Sequence, residues 1–259
     1  MDPSRAITPY DLRLAYRQNK FTFGEQDALL RVCLVGSCRI VPILNFLRAY
    51  NDVNGRIFEI VCLNPIECWE GAGTSVEEGV FNRFGSYRIG EVDFLICEHM
   101  VNCGMMNTLE TSSPNLFDSM GCQPAVTLRL PNWNCMHIYD SETAGFDPAY
   151  AALEPRQRAE KLRAETVVHR DRFLRYCREC SFPEMEGWAD DNWLRTRLGW
   201  TNSHVSLSFS WILFEHIRSA MGLPMADEVR NHPLCMQDMF EPGHTELNKV
   251  DYDANGWLF

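Results

Sequence analysis

The stretch that decides the fold is residues 32–47, which read VCLVGSCRIVPILNFL. Its first four residues form a short apolar run, which is typical of a buried strand in a parallel sheet. From Ile40 onward the apolar positions recur at helical spacing, and Pro42 falls in the first turn, where its missing N–H costs little. The stretch therefore predicts a strand, a tight turn at residues 36–39 and a helix.

The turn between this strand and this helix carries a thiol, that of Cys38. A side chain at such a turn stands at the carboxyl edge of the sheet, near the unpaired N–H groups that begin the helix. Those groups stabilise a thiolate and, later in a reaction, an oxyanion. Cysteine is also among the most buried residue types, and the chain has 11 of them, so a packing role for Cys38 stays open.

The composition is that of an ordinary globular protein, with 46% hydrophobic and 23% charged residues over 259 positions. We found no repeat and no linker, so we expect a single domain over residues 1–259, with an irregular tail at about 224–259. The net charge of −11 argues against a nucleic-acid partner. The sequence contains no apolar run long enough to span a membrane and no signal pattern, and its odd number of cysteines favours reduced thiols. We therefore expect a cytoplasmic protein.

Strand candidates alternate with helix-length segments along the first half of the chain. This alternation predicts an α/β fold, a parallel sheet flanked by helices, with a helix-rich second half. Ligands of such sheets bind beyond the carboxyl ends of the strands, so Cys38, residues 98–102 and residues 131–133 are expected at one rim. The further strand candidates are residues 56–63, 92–97 and 125–130, and the helix candidates are residues 8–19, 153–180, 189–197 and 205–221, with weaker ones at 76–84 and 105–120.

His204 is the predicted partner of Cys38, because it lies in a polar turn just before an apolar helix. In a thiol–imidazole pair the histidine withdraws the thiol proton and returns it to a leaving group. A helix-capping or surface role for His204 is the open alternative. His232, which precedes a proline, competes with it, but no long apolar helix follows His232.

Three short motifs, in this order, resemble the WcbI family of polysaccharide-biosynthesis proteins. They are GSCR at residues 36–39, LRLPN at residues 128–132 and WTNSH at residues 200–204, the last ahead of a helix that ends near residue 221. The family typically has Gly-Asn-Cys-Gln at the first place, an Ile-Pro-Asn-like strand end at the second and Asn-His-Pro at the third. The resemblance extends over about residues 30–223.

This resemblance implies an SGNH-hydrolase-like α/β fold, the binding of coenzyme A or acetyl-CoA, and acyl transfer. The acceptor would be a small-molecule hydroxyl or amine, such as one on a sugar. It also implies that Cys38 is the nucleophile and His204 the general base and acid, while the start of a helix makes Arg39 a candidate for anionic groups of the cofactor. The candidates for the oxyanion hole and for substrate binding are Gly36, Ser37, Asn102, Asn132 and Asn202, with Glu98 and His99 nearby.

The motifs also depart from the family pattern. Ser37 and Arg39 stand where the family has asparagine and glutamine. Thr201 stands where SGNH hydrolases often carry an aspartate, three residues before the histidine. The sequence therefore shows no acid for a triad, and His204 is expected to act in a dyad or with Asp190 or Asp191.

Two other functions stay open on the same residues. One is hydrolysis of an ester or thioester, with water in place of the acceptor. The other is ligand binding or scaffolding without turnover. No metal is expected, because Cys177 and Cys180 have no second pair of ligands at comparable spacing and are better explained as two cysteines on one helix face. The acyl group, the acceptor and the oligomeric state are not predicted.

Overall fold

The computed structural model describes residues 5–24, 27–37, 39–64, 87–98, 120–131, 152–192, 206–224 and 227–236. Contacts divide the chain into two compact units, Met1–Leu130 with Leu213–Met239, and Pro131–Ile212 with Phe240–Phe259. The single domain expected over residues 1–259 stays a prediction. No helix in the described ranges is both long and apolar enough to cross a membrane.

The first unit contains a five-stranded sheet with its helices. The strands are β1 (Thr22–Gly24), β2 (Leu30–Val35), β3 (Phe58–Leu63), β4 (Glu91–Glu98) and β5 (Gln123–Leu130). The helices of the described residues are α1 (Pro9–Arg17), α2 (Ile40–Asn54), α3 (Pro155–Glu179), α4 (Pro183–Asn192), α5 (Leu207–Ala220), α6 (Asp227–Arg230) and α7 (Pro233–Met236). The α/β fold predicted from the sequence is thereby confirmed.

The sheet has the order β1-β3-β2-β4-β5. The last four of these strands are parallel, while β1 pairs with β3 in the antiparallel direction. The register brings the strand ends level, because Val35 of β2 pairs with both Leu63 of β3 and Cys97 of β4, and Glu98 pairs with Leu130 of β5. All four parallel strands therefore end at one edge of the sheet.

Four elements differ from the predictions. β1 was not expected, since three residues are too few to show an alternating pattern, and its pairing with β3 defines it. α4 was expected at residues 189–197 but begins at Pro183, a residue well suited to the first turn of a helix. Within the tail predicted to be irregular, α6 and α7 are two short helices.

Helix α2 is buried over most of its circumference, as expected for a helix that is apolar on several sides. Phe46 packs edge-on against Phe214 of α5, with ring centres 5.4 Å apart. The side chain of Asn51 closes the turn into β3, because it donates to the carbonyl of Phe58 and accepts from its N–H, both at 2.7 Å. These contacts hold the helix that follows Cys38 in the core of the first unit.

In the second unit, α3 and α4 contribute to an aromatic cluster around Phe209. Phe173 and Trp188 lie with their ring centres 5.8 Å and 6.0 Å from that of Phe209. Cys177 and Cys180 are buried at the end of α3. The predicted packing role of these two cysteines fits this position.

Helix α1 begins with a capping box, in which Thr8 and Asp11 bind each other. Asp11 Oδ2 accepts from the backbone N–H of Thr8 at 2.8 Å, and Asp11 Oδ1 lies 2.5 Å from an Arg5 nitrogen. Burial pushes the pKa of Asp11 upward, but the hydrogen bonds from Arg5 and Thr8 outweigh burial and leave the pKa below its ordinary value of 3.8. The ionised form of Asp11 is therefore favoured by folding.

We expect Asp11→Asn to lower the free energy of unfolding by about 1 kcal/mol at pH 7, as loss of a helix cap does. A group whose pKa is lowered by folding stabilises the protein above its unfolded pKa, and this contribution is lost as the pH falls below about 3.8. Urea titrations of both proteins between pH 7 and pH 3 check this. A difference between them that stays constant over this range contradicts the role assigned to the Asp11 charge.

Candidate active site

The carboxyl edge of the sheet has a point at which the strand order reverses. From β2 the chain passes to β3 on one side, whereas β4, which follows in sequence, pairs with the other side of β2. In open α/β sheets the crevice that ligands occupy lies at such a point, beyond the carboxyl ends of the strands. Here the turn after β2 and the last residue of β4 lie beside this point.

Glu98, the last residue of β4, is 3% exposed, and its carboxylate joins β4 to the turn that follows β2. Its Oε2 accepts hydrogen bonds from the backbone N–H of Ser37 at 2.9 Å and from the Ser37 hydroxyl at 2.7 Å. Its Oε1 accepts from Arg39 Nη1 at 2.6 Å. One buried carboxylate thus binds the residues on both sides of Cys38 in the chain.

Gly36 permits this close approach of β4 to the turn. A Cβ at position 36 would lie 2.6 Å from Ile40 Cγ2 and 2.9 Å from both Cβ and Oε2 of Glu98. These atoms belong to a β-branched side chain and to a side chain held by hydrogen bonds, so neither is free to give way. Glycine is therefore required here for space.

We expect Gly36→Ala to lower the free energy of unfolding by about 1–3 kcal/mol, the usual penalty for overpacking. It should also displace the Glu98 carboxylate from Ser37. Gly187, exposed in the middle of α4 with nothing within 4 Å of an added Cβ, is the control. There we expect Gly187→Ala to raise stability by about 0.5–1 kcal/mol. Urea titration of the two variants checks this, and equal stabilities would contradict the close contact at Gly36.

The structure brings together three of the residues predicted for the site, Gly36, Ser37 and Arg39. The N–H of Gly36 donates to the carbonyl of Leu63 at 3.1 Å, and the N–H of Ser37 donates to Glu98, so both are used within the protein. The substrate and cofactor roles of these residues stay predictions. Asp190 and Asp191 lie in α4, where Asp191 is exposed. The remaining predicted site residues lie outside the described residues, and these are Cys38, His99, His204, Asn102, Asn132 and Asn202.

The competing histidine, His232, lies toward the other end of α2. Its Nε2 is 3.6 Å from Asp52 Oδ2. Asp52 lies about 18 Å along the helix from Ile40, at the rise expected for an α-helix. His232 is therefore placed away from the turn at residues 36–39, and His204 remains the candidate.

Glu98 has a larger part in this geometry than the sequence suggested. The sequence predicts Glu98 at this rim, as part of residues 98–102 and near Asn102, but gives it no role of its own. The signal that identifies it is a charged residue ending a strand whose preceding residues are apolar and buried, since a buried charge needs a partner. The partner belongs to a turn about 60 residues earlier, which no local pattern reveals.

Several other cysteines are unsuited to nucleophilic chemistry. Burial raises the pKa of the Cys62, Cys177 and Cys235 thiols from an ordinary value of 9.0 to about 12. A hydrogen bond with Cys122, together with burial, raises the pKa of Cys33 as well. Such thiols contain almost no thiolate at neutral pH. Within the described ranges we find no group of three or more side chains that could hold a metal ion.

The fold and the carboxyl edge of its sheet define an α/β protein whose candidate ligand site lies where the strand order reverses. No protein-family model matches the chain, and no curated protein matches it either. Among solved structures, that of WcbI, described as a novel polysaccharide biosynthesis enzyme, is a weak match with 14% identity and a TM-score of 0.49. The match covers 77% of this chain and 71% of the WcbI chain, and the WcbI structure is of the native protein without a disulfide bond between coenzyme A and a cysteine. The activity of this chain must therefore be argued from its own residues.

Proposed function

We propose that this protein is an acyltransferase that takes an acetyl group from acetyl-CoA and passes it to a hydroxyl or amine, such as one on a sugar. Cys38 is the nucleophile and His204 is the general base and acid. The observation that carries the proposal is that both chain neighbours of Cys38 are bound by a buried carboxylate at the ligand edge of the sheet. Acetyl-CoA is proposed as the donor because the motifs at residues 36–39, 128–132 and 200–204 resemble those of the WcbI family.

The first half of the reaction transfers the acetyl group to the protein. His204 takes the proton of the Cys38 thiol, and the thiolate attacks the carbonyl carbon of the donor thioester. The bond between that carbon and the donor sulfur breaks, and His204 returns the proton to this sulfur. Cys38 then carries the acetyl group as a thioester.

The second half passes the acetyl group to the acceptor. His204 removes a proton from the acceptor O–H or N–H, and the acceptor attacks the thioester on Cys38. The bond to Sγ breaks, and His204 protonates the Cys38 sulfur. An acceptor that reaches this thioester before water does makes the reaction a transfer, so exclusion of water decides between transfer and hydrolysis.

The phosphates of the donor require positive charge near this edge. Arg39 lies there, at the start of α2, but its Nη1 is bound to Glu98 and its side chain is only 11% exposed. Arg129, next to last in β5 and level with Cys97, is an exposed cation at the same edge. We therefore add Arg129 to Arg39 as a candidate for binding the anionic part of the donor.

The release of coenzyme A from acetyl-CoA, followed with a thiol reagent, tests this function. The proposal predicts steady release that requires a sugar or amine acceptor, together with a higher Tm in the presence of coenzyme A. Release that needs only water identifies a hydrolase instead. A raised Tm without any release, over a broad set of acceptors, identifies a binding protein and contradicts the proposed transfer.

A further inference from the structure

The two residues on either side of Cys38 are bound by one side chain from the neighbouring strand. We propose that Glu98 is a positioning residue for Cys38, which holds the turn at residues 36–39 in one conformation and balances the positive charge beside the thiol. This inference rests on the proposed role of Cys38 as the nucleophile. Glu98 itself lies outside all three sequence motifs.

Three hydrogen bonds join the Glu98 carboxylate to the two chain neighbours of Cys38. Glu98 accepts from the backbone and the hydroxyl of Ser37, and its other oxygen accepts from Arg39. Glu98 therefore restrains both chain neighbours of the proposed nucleophile, and the glycine at position 36 is what lets its carboxylate come this close.

Glu98 also offsets the positive charge of Arg39, which follows Cys38 in the chain. Arg39 precedes the first residue of α2, so a guanidinium and the positive end of a helix lie next to Cys38 in the chain. Positive charge of this kind favours a thiolate over a thiol. Glu98 Oε1, 2.6 Å from Arg39 Nη1, offsets that charge. The ion pair therefore reduces the net positive charge next to the proposed nucleophile.

Within the part of the chain that the structure describes, the Glu98 carboxylate binds only the turn at residues 36–39. Its partners in the structure are Ser37 and Arg39, and the other cation that the described strands bring to this edge is Arg129 on β5. A buried carboxylate is costly unless it is paired and hydrogen-bonded. Here the hydrogen bonds that pair it go to Ser37 and Arg39, on either side of the candidate nucleophile.

The test is the pH dependence with which iodoacetamide alkylates Cys38 in Glu98→Gln. Removal of the negative charge of Glu98 makes the surroundings of residues 36–39 more positive, which favours the thiolate, so we expect the midpoint of the profile to fall by about half a unit or more. We also expect the kcat of acetyl-CoA turnover to fall about tenfold or more while KM changes little, because a displaced nucleophile affects the chemical step. A loss of stability alone would move neither the midpoint nor the ratio of kcat to KM in this way.

The sequence provides an internal control for this measurement. Cleavage by trypsin after Arg31 and Arg39 yields the peptide of residues 32–39, which contains Cys33 as well as Cys38. Cys33 is 0% exposed and should stay unlabelled while the protein is folded. Fragment ions separate the two sites, so labelling of Cys33 reports unfolding of the variant.

Glu91→Gln is the matched control, since it removes the same charge from the exposed, opposite end of the same strand. The inference is overturned if the pH midpoint of Cys38 alkylation is the same in Glu98→Gln as in Glu91→Gln. It is also overturned if iodoacetamide does not alkylate Cys38 of the wild type at any pH. If Glu98→Gln unfolds, Arg39→Met/Glu98→Gln removes both charges, and an unchanged kcat in it overturns the inference. A shifted midpoint in a protein that releases no coenzyme A supports the inference and contradicts only the proposed function.

Discussion

Replacing Cys38 by alanine is expected to reduce the release of coenzyme A from acetyl-CoA about a thousandfold or more, because the variant has no atom that can accept the acetyl group. Binding of coenzyme A should persist, since the thiol contributes little to the affinity for the phosphates and the nucleotide. Release rates and titration calorimetry of the same preparations measure both quantities. The expected pattern is therefore a loss of kcat with a dissociation constant close to that of the wild type.

Cys122→Ala is the control for this loss. Cys122 is a half-buried cysteine just before β5, at the opposite edge of the sheet from residues 36–39. Its replacement should leave the release rate within about twofold of the wild type, as expected for a position remote from the site. Comparable rates in Cys38→Ala and Cys122→Ala would show that the transferred group does not pass through Cys38.

Replacing Arg39 by methionine is expected to lower the free energy of unfolding by about 3–5 kcal/mol, because Glu98 then stays buried without its counterion. The side chains of Arg39 and Glu98 are 11% and 3% exposed, so water replaces little of the lost interaction. Methionine retains the apolar stem of arginine, which limits the part of the effect that comes from packing. Urea denaturation followed by circular dichroism measures the difference.

Two further variants separate charge from packing. Arg39→Met/Glu98→Gln removes both charges and should recover much of the stability, as uncharged replacements of buried ion pairs often do. Arg156→Ala breaks an exposed pair with Glu160, whose side chains are 91% and 63% exposed, and should cost no more than about 0.5 kcal/mol. A double variant as unstable as Arg39→Met would attribute the loss to packing rather than to the unpaired carboxylate.

The sequence predicted the strand–turn–helix unit at residues 32–47 because its signals are local. An apolar run, a glycine and a helical spacing of apolar residues lie next to one another, and β2 and α2 form where they indicate. The strands β4 and β5 were predicted for the same reason. These elements follow from patterns only a few residues long.

What the sequence did not reveal depends on partners far away in the chain. β1 is a strand only because β3 lies beside it, with Thr22 paired to Val61. Glu98 belongs to the site only because β4 pairs with β2, which brings its carboxylate to Ser37 across 61 residues of chain. A strand order cannot be read from local patterns, so the sequence predicts a shared rim but not that Glu98 reaches Ser37.

The proposed function requires that the turn at residues 36–39 present a nucleophilic cysteine to an acyl donor. Mass spectrometry of the tryptic peptide of residues 32–39, after brief incubation with acetyl-CoA and acid quenching, tests it most directly. We predict one acetyl group on Cys38, none on the buried Cys33, and slower acetylation in His204→Ala. Steady release of coenzyme A with no acetyl group on this peptide at any time would contradict the claim.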